Sequence, residues 1–346
     1  MYYLKYRPKT IGELDNTQVR TKIQNLLQTK EIPHAMLFVG SKGMGKTSTA
    51  RIVAKAVNCL ENMFAGKGNS FEPCNTCQNC ISIDRGSSPD VVEQDAASNR
   101  GIDEVRKLIK ESSFAPMAGR YRVYIIDEAH MITPDAFNAL LKTLEEPPET
   151  VLFILATTNE EKVPTTIISR CVRIPFGQAN KTDIRHMLDR MTAQEKITID
   201  SEIKDIIYKY SDNSFRDAAK LLEELVLQKK LTKDEAEQYL GVNSKYNLLI
   251  ILKTKTLHDA LQWIEEFAAS GGNIKRMIED LLKALQTQLL LKAGIKTEAE
   301  DIGFTVGEIA RLMKLFHEAY KNLKITPIES LPLEIAIVEF YNLRKQ

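Results

Sequence analysis

Long hydrophobic runs are missing from this sequence of 346 residues. No apolar stretch approaches the roughly 18 residues that span a bilayer, and residues 1–8 lack the apolar core of a secretory signal peptide. The sequence therefore predicts a cytoplasmic protein with no membrane partner. The sequence also has no excess of one charge. Its 47 Lys and Arg residues and 46 Asp and Glu residues give a formal net charge of +1. This balance argues against a wholly basic surface for nucleic acid, although it leaves room for a local basic patch.

Cysteine is scarce, with five residues, and four of them fall in one short segment: Cys59, Cys74, Cys77 and Cys80. In a reducing compartment such a cluster favours a metal over disulfides. Four thiolates are the number that closes a tetrahedral structural zinc site. An iron–sulfur run of the form C-x₂-C-x₂-C-x₃-C would need a cysteine where Asp84 stands, and four free thiols are the remaining alternative. Cys171 stands apart and is predicted to be a small buried apolar residue.

What the sequence does contain is a complete G-x-x-x-x-G-K-[ST] motif at residues 40–47, which we call the phosphate loop. An apolar run at 35–39 predicts a strand before it, and 47–58 predicts a helix after it. In that context backbone N–H groups can face phosphates, the lysine can bridge the outer phosphates and the threonine hydroxyl can coordinate Mg²⁺. The alternative is a glycine-rich turn that binds nothing. The predicted nucleotide contacts are Gly40, Ser41, Lys42, Gly43, Met44, Gly45, Lys46, Thr47 and Ser48.

Two further apolar runs end in polar side chains. The run 123–126 leads into Asp127 and Glu128; Asp127 is predicted to hold Mg²⁺ through water and Glu128 to polarise the attacking water. A solvated turn that opens the next helix is the alternative. The run 151–156 leads into Thr157, Thr158 and Asn159, where either Thr158 or Asn159 is predicted to sense the γ-phosphate, or the three side chains simply cap a turn.

The order of the predicted elements indicates an α/β fold, a parallel sheet covered by helices on both faces. Strands are predicted at 35–39, 90–94, 122–126, 151–156 and 172–175. A linker at 176–180 is followed only by helices, at 181–193, 201–210, 214–230, 257–269, 274–292 and 305–321. We predict three domains: 1–178 with a cysteine module at 59–80, a small helical domain at 179–241, and a helical domain at 242–346.

Segments spread along the chain resemble one family, the bacterial DNA polymerase III gamma/tau subunits, which are clamp-loader ATPases of the AAA+ superfamily. The resemblance rests on the phosphate loop, the cysteine module, Asp95-Ala96-Ala97-Ser98 and Ile125-Ile126-Asp127-Glu128-Ala129-His130-Met131. It also rests on 138–148, Ser169-Arg170-Cys171 and Ser214-Phe215-Arg216-Asp217-Ala218. Residues 240–346 match more loosely, chiefly at Leu331-Pro332-Leu333-Glu334.

The resemblance implies ATP, Mg²⁺ and Zn²⁺ as cofactors and assigns further roles. Tyr6, Arg7 and Pro8 resemble the segment that lines the adenine pocket. Arg170 would reach into the ATP site of an adjacent subunit, and Arg216 would contact phosphate from a helical lid of its own subunit. The last domain would be an oligomerisation collar. Two departures stand out: the family's usual Gly-Gln is replaced near Asp15-Asn16-Thr17, and the spacing from Cys59 to Cys74 is longer than usual.

The predicted function is that of an ATP-hydrolysing clamp-loader motor, which loads a sliding clamp onto primer–template DNA. Its partners would be delta, delta-prime and further gamma/tau subunits, the sliding clamp and DNA. A catalytically silent structural subunit like delta-prime is one alternative, disfavoured because Lys46, Thr47, Asp127 and Glu128 are all present. An AAA+ branch-migration motor is another, which leaves the four cysteines and Arg170 unexplained.

Overall fold

The computed structural model describes residues 1–29, 31–99, 101–240, 244–269, 272–295 and 301–344. The chain divides into two compact units, Met1–Leu227 and Gln228–Gln346. The division into domains 1–178, 179–241 and 242–346 stays a prediction, and its second boundary lies outside the described residues.

The first unit is built on a sheet. Its strands in the described residues are β1 (Ala35–Val39), β2 (Val91–Asp95), β3 (Arg122–Asp127), β4 (Val151–Thr157) and β5 (Val172–Pro175). They pair in parallel in the order β2-β3-β4-β1-β5. Every residue of β4 is buried, as expected for a central strand covered on both faces. The five predicted strands are confirmed, and their ends differ from the prediction by no more than one residue.

Helices flank this sheet and continue to the end of the first unit. They are α1 (Tyr2–Lys5), α2 (Thr17–Gln28), α3 (Lys46–Asn58), α4 (Gln78–Asp84), α5 (Ile102–Ser112), α6 (Pro134–Glu145), α7 (Thr165–Ile168), α8 (Lys181–Glu195), α9 (Ser201–Tyr210) and α10 (Phe215–Leu227). Three helices, α2, α6 and α8, are capped by the residue that precedes each of them: Asn16, Thr133 and Asn180. Each of these side chains accepts a hydrogen bond from a backbone N–H of the first turn.

The core of this unit lies on the two faces of the sheet. On one face, Tyr124 and Phe153 share a core with Leu108 of α5 and Phe137 of α6. Successive strand residues point to opposite faces, and α3 contacts β3 and β4. Because β1, β3 and β4 are neighbours, the phosphate loop, Glu128 and Thr158 all follow strands that end at one edge of the sheet, where ligands bind in open parallel sheets.

In its described residues the second unit contains helices joined by loops and no strand. Its helices are α11 (Lys233–Leu240), α12 (Ser244–Thr254), α13 (Leu257–Ala269), α14 (Ile274–Lys292), α15 (Val306–Asn322) and α16 (Leu331–Leu343). Leu281, Phe304, Phe316 and Ile337 are among the buried residues of its core. The prediction of a helical C-terminal region is confirmed. In the part of the chain that is described, we find no helix with the length and apolar character to cross a membrane.

Candidate functional site

A cavity of about 530 Å³ lies in the first unit, a size that is usual for small-molecule sites. Among the predicted contacts, its lining includes Tyr6, Arg7, Pro8, Lys42, Gly43, Met44, Gly45, Lys46, Thr47, Ser48, Asp127, Glu128 and Arg216. The described lining residues do not include Gly40, Ser41, Thr158, Asn159 or Arg170. The structure therefore gathers most, though not all, of the predicted nucleotide-binding residues around one cavity.

The phosphate loop has a backbone that requires glycine at several positions. Gly43 and Gly45 have φ values of 85° and 90°, in the left-handed region that side chains with a Cβ rarely adopt. A Cβ on Gly40 would lie 2.2 Å from the carbonyl oxygen of Phe176. Gly45 also precedes α3 as its N-cap, so the unpaired N–H groups of the first helical turn open beside the loop, as in anion-binding sites.

Lys46 carries its charge inside this loop. Its side chain is only 6% exposed, and Nζ donates to the carbonyl oxygens of Gly40 and Ser41 at 2.7 and 3.0 Å. Burial lowers the pKa of Lys46, while the carboxylates of Glu128 and Asp127 act to raise it. A buried ammonium that is held only by neutral carbonyls is well placed to gain from an anionic ligand.

Thr47 and Asp127 meet beside this lysine, although 80 residues separate them in the chain. The Thr47 hydroxyl donates to Oδ2 of Asp127 at 2.6 Å, and the other carboxylate oxygen accepts from the backbone N–H of Glu128 at 2.9 Å. A hydroxyl and a carboxylate are hard oxygen donors of the kind that Mg²⁺ prefers. The residues present therefore fit the predicted magnesium site.

Glu128 is held by two polar neighbours. Its backbone is left-handed, with φ of 48°, which is uncommon for a residue other than glycine. Oε2 accepts from the Thr158 hydroxyl at 2.9 Å and lies 3.4 Å from Nδ1 of His130. Of the two candidate sensors, Thr158 makes this contact, and Asn159 makes backbone bonds to the Thr157 hydroxyl. The sequence motif alone assigns no role to His130, and its position two residues after Glu128 is the signal that points to it.

The N-terminal segment closes another part of the cavity. Tyr2, Tyr3, Tyr6, Leu14, Asp15 and Val19 line it together with Met187 and Met191 of α8. The Arg190 guanidinium donates to the carbonyl oxygen of Tyr6 at 3.2 Å and to Oδ2 of Asp15 at 2.7 Å. Burial lowers the pKa of Arg7, and the nearby guanidinium groups of Arg51 and Arg216 lower it further. The sequence does not predict this contact between Asp15 and Arg190.

Arg216 and Arg170 have different surroundings. The backbone N–H of Arg216 donates to the carbonyl oxygen of Gly43 at 3.4 Å, and its guanidinium lies 5.8 Å from the centre of the Tyr3 ring. This places Arg216 against the phosphate loop. Arg170 instead forms an ion pair with Glu145 of α6 and donates to the carbonyl oxygen of Thr166 at 2.7 Å.

The four clustered cysteines converge in space. The sulfur atoms of Cys59, Cys74, Cys77 and Cys80 all lie within 4.8 Å of one another. Backbone N–H groups face the sulfurs, including that of Cys77 toward Cys74 at 3.2 Å and that of Cys74 toward Cys59 at 3.4 Å. Such bonds favour the thiolate form that binds metal. The cluster could hold a metal ion, and its all-sulfur donor set suits zinc.

Comparison with solved structures shows the fold. A Holliday junction branch migration motor, RuvB of Thermotoga maritima, aligns with a TM-score of 0.51 at 16% identity, over 78% of this chain and 86% of that protein. The sheet, its helices and this likeness give the chain the AAA+ fold. A likeness at this identity carries the architecture and no function.

Comparison of sequences shows the family. A family model described as DNA polymerase III, delta subunit, matches residues 15–181. The tau subunit of Bacillus subtilis is 36% identical over 97% of this chain, which spans 62% of that protein. The tau subunit of Escherichia coli is 40% identical over 64% of this chain and 34% of that protein. The gamma subunit of Buchnera aphidicola is 31% identical over 98% of this chain and 96% of that protein. The phosphate loop, the cysteine cluster and these relatives together show that the chain belongs to the family of DNA polymerase III gamma/tau subunits.

Proposed function

We propose that this protein is an ATP-hydrolysing motor subunit of a clamp loader, which places a sliding clamp on primer–template DNA during replication. Membership of the gamma/tau family supports the proposal. The observation that carries it is the contact of Thr47 with Asp127 beside the buried Lys46, because a silent structural subunit has no need of this arrangement. No feature of the site favours the branch-migration alternative.

ATP and Mg²⁺ are the cofactors that this site would take. Lys46 and the first turn of α3 would bind the phosphates, and Thr47 and Asp127 would hold the metal. Bound Mg²⁺ supplies charge neutralisation at the phosphates. Glu128 would orient the attacking water, and its contact with Thr158 would hold the carboxylate in position. Arg216 would add positive charge from the start of α10. The site works chiefly by positioning and charge stabilisation.

Arg170 is proposed to act on a neighbouring subunit. It lies outside the described lining of its own cavity and is paired with Glu145 on the surface. A guanidinium supplied by a second subunit can raise the rate of phosphoryl transfer by about 10³–10⁵. The partners would therefore be further gamma/tau copies, delta and delta-prime, with the clamp and DNA as the substrates of the assembly. DNA would be bound through phosphate contacts without base readout.

Zinc is proposed as the structural ion of the cysteine module. Four sulfur ligands leave no open coordination position, so the ion would close the insertion at 59–80 and take no part in hydrolysis. Metal analysis of the purified protein should give one zinc per chain. A protein without zinc, with all four of these thiols titratable, would contradict the assignment.

The function is tested on the reconstituted assembly. We expect ATP turnover that is stimulated by the clamp and primed DNA. Glu128→Gln should bind ATP with unchanged affinity and lose turnover by about 10²-fold or more, because the carboxylate that orients water is gone. The exposed Glu149→Gln serves as the matched control. ATP turnover that is not stimulated by the clamp and DNA, or that persists in Glu128→Gln, would contradict the proposal.

A further inference from the structure

The segment between α1 and α2, residues 6–16, reaches the cavity in two stretches. Residues 6–8 and 14–16 belong to the described lining, and residues 9–13 between them do not. None of residues 9–13 lies in a helix or a strand, so neither kind of element fixes their position. The contacts that hold this middle part therefore set the position of both stretches that reach the cavity.

Glu72 of the cysteine module holds the middle part through its carboxylate. Oε2 accepts from the backbone N–H of Ile11 at 2.7 Å, and Oε1 accepts from that of Gly12 at 2.8 Å. Ile11 is fully buried, and a buried backbone N–H needs a partner. Hydrogen bonds to a carboxylate are stronger than those between neutral groups. The carbonyl oxygen of Ile11 accepts from the N–H of Leu14 at 3.1 Å, so the residue that Glu72 holds also closes the turn that brings Leu14 to the cavity.

Glu72 is itself fixed within the cysteine module. Asn62, which is 2% exposed, donates from Nδ2 to a carbonyl oxygen of α3 at 2.8 Å and to that of Phe71 at 3.2 Å. Two residues after Glu72, the backbone N–H of Cys74 faces the sulfur of Cys59 at 3.4 Å. A structural ion bound by both cysteines would close the loop between them, which carries Glu72. The module therefore offers a fixed anchor to the segment at 9–13.

We propose that Glu72 is a positioning residue of the nucleotide site, and that through its contact with residues 11–12 the cysteine module and a bound nucleotide stabilise one another. A cavity wall that is already held loses less conformational freedom when a ligand binds, so the anchor raises affinity. Coupling between two sites is reciprocal, so the nucleotide also stabilises the module. Glu72 is not part of the described lining and acts on affinity, not on hydrolysis. This inference rests on the proposed nucleotide site.

The first test is Glu72→Gln. The amide keeps the length of the side chain, but its N–H₂ can only donate, so one of the two backbone N–H groups loses its acceptor. In the full chain with Mg²⁺, ATP should bind about 5-fold or more weakly. In the reconstituted assembly at saturating ATP, stimulated turnover should stay within about twofold, because the groups that contact the phosphates and the attacking water are unchanged.

Glu61→Gln is the matched control. Glu61 lies in the same module, and its side chain pairs with Lys67 at the surface instead of with the segment at 9–13. ATP affinity in this variant should equal that of the wild type. The metal content of both variants should also match the wild type, which shows that weaker ATP binding by Glu72→Gln does not come from an open module.

The second test measures the coupling in the opposite direction. Hydrogen exchange is followed in the wild type, with and without ATP, in peptides that cover 9–16, 59–80 and α5. Helix α5 is the reference, because it has no residue in the described lining and reports any general stabilisation by the ligand. ATP should slow exchange at 9–16 and at 59–80 by about 3-fold or more beyond its effect on α5. In Glu72→Gln the additional slowing at 59–80 should disappear.

The outcomes separate this inference from the function on which it rests. A wild-type chain that does not bind ATP would overturn the proposed nucleotide site and the inference with it. Wild-type affinity in folded Glu72→Gln, or exchange at 59–80 that ATP slows no more than at α5, would overturn the role of Glu72 alone. A loss of turnover at saturating ATP would do the same, because it would assign the effect to the hydrolytic step. If Glu72→Gln fails to fold, the exchange of the wild type decides.

Discussion

At the scale of single residues, several polar side chains near the ends of the strands are held in place. Lys46 is buried, Glu128 is held in a left-handed backbone, and the Thr158 hydroxyl reaches Oε2 of Glu128 across 30 residues of sequence. Each of these features restrains a side chain that would otherwise sample many rotamers. Such restraint is what positions a catalytic group before the substrate arrives.

Thr158→Val removes the hydroxyl that contacts Glu128 and keeps the shape of the side chain. We expect ATP affinity to stay within about twofold and turnover in the assembly to fall by about 10-fold or more, because the carboxylate loses a positioning bond. Nucleotide binding and steady-state turnover are measured separately. Asn159→Ala is the comparison, since the sequence did not distinguish these two residues; an equal or larger loss of turnover in that variant would contradict the choice of Thr158.

Cys171 provides a prediction about pH. It is partly buried against the core of the sheet, and burial raises the pKa of its thiol from 9.0 to about 12. The folded protein therefore keeps the proton where the unfolded chain loses it. The contribution of this thiol to stability is full below about pH 9 and is lost as the pH rises toward 12.

The measurement compares wild type with Cys171→Ala, which has no thiol to titrate at this position. The difference in unfolding free energy between the two proteins should change by up to about 1.4 kcal/mol for each pH unit above 9, to the disadvantage of the wild type. If the unfolding free energies of the two proteins change in parallel with pH, burial does not raise the pKa of this thiol. The cysteine module is common to both proteins and so cancels.

At the scale of elements, one buried lysine joins three segments. Lys55 of α3 is 1% exposed, and its Nζ donates to the Lys9 carbonyl oxygen at 3.1 Å and to Oδ1 of Asn75 at 2.7 Å. It also pairs with Asp84 of α4 at 2.9 Å. Lys9 belongs to the N-terminal segment, and Asn75 belongs to the cysteine module. The helix that follows the phosphate loop is thereby fixed to both.

Lys55→Met should destabilise the first unit by about 1–3 kcal/mol, because the Lys9 carbonyl and the Asn75 amide lose a buried donor. Asp84 is half-exposed, so water takes over its charge and limits the loss. Hydrogen exchange at α3 and in the cysteine module is the appropriate measurement. Lys67→Met is the matched control, because its pair with Glu61 is exposed and should contribute less than about 1 kcal/mol. Equal protection from hydrogen exchange at α3 and in the cysteine module in the two variants would contradict the role of Lys55.

At the scale of the whole molecule, the proposed motor needs more than one chain. The described lining of the cavity lies entirely within the first unit, between Tyr2 and Ala219, and Arg170 is not part of it. An isolated chain should therefore bind nucleotide well and hydrolyse it slowly. Assembly would supply the missing positive charge.

Arg170→Ala in all copies of the reconstituted assembly should keep ATP affinity within about threefold and lower the stimulated turnover by about 10³-fold. Arg173→Ala is the control, since Arg173 lies three residues further on and pairs with Glu160 at the surface. Turnover at the wild-type rate in the Arg170 variant would refute action across the subunit boundary. Loss of nucleotide binding by the isolated variant would instead place Arg170 in the site of its own chain.

The sequence by itself determined the features that depend on neighbours in the chain. The phosphate loop, the pair Asp127 and Glu128, and the spacing of Cys74, Cys77 and Cys80 are local patterns whose chemistry follows from short distances along the backbone. The five strands could also be predicted, because buried parallel strands are short continuous apolar runs.

The tertiary structure alone decided which residues that are distant in the sequence contact one another in and around the cavity. Asp15 and Arg190 are 175 residues apart in the chain, and no periodicity records that they touch. The same holds for the contact of Thr158 with Glu128 and for the three partners of Lys55. These contacts arise because packing of the sheet and its helices brings remote segments together, and the free energy that selects them comes from burial summed over the whole unit, which no local pattern contains.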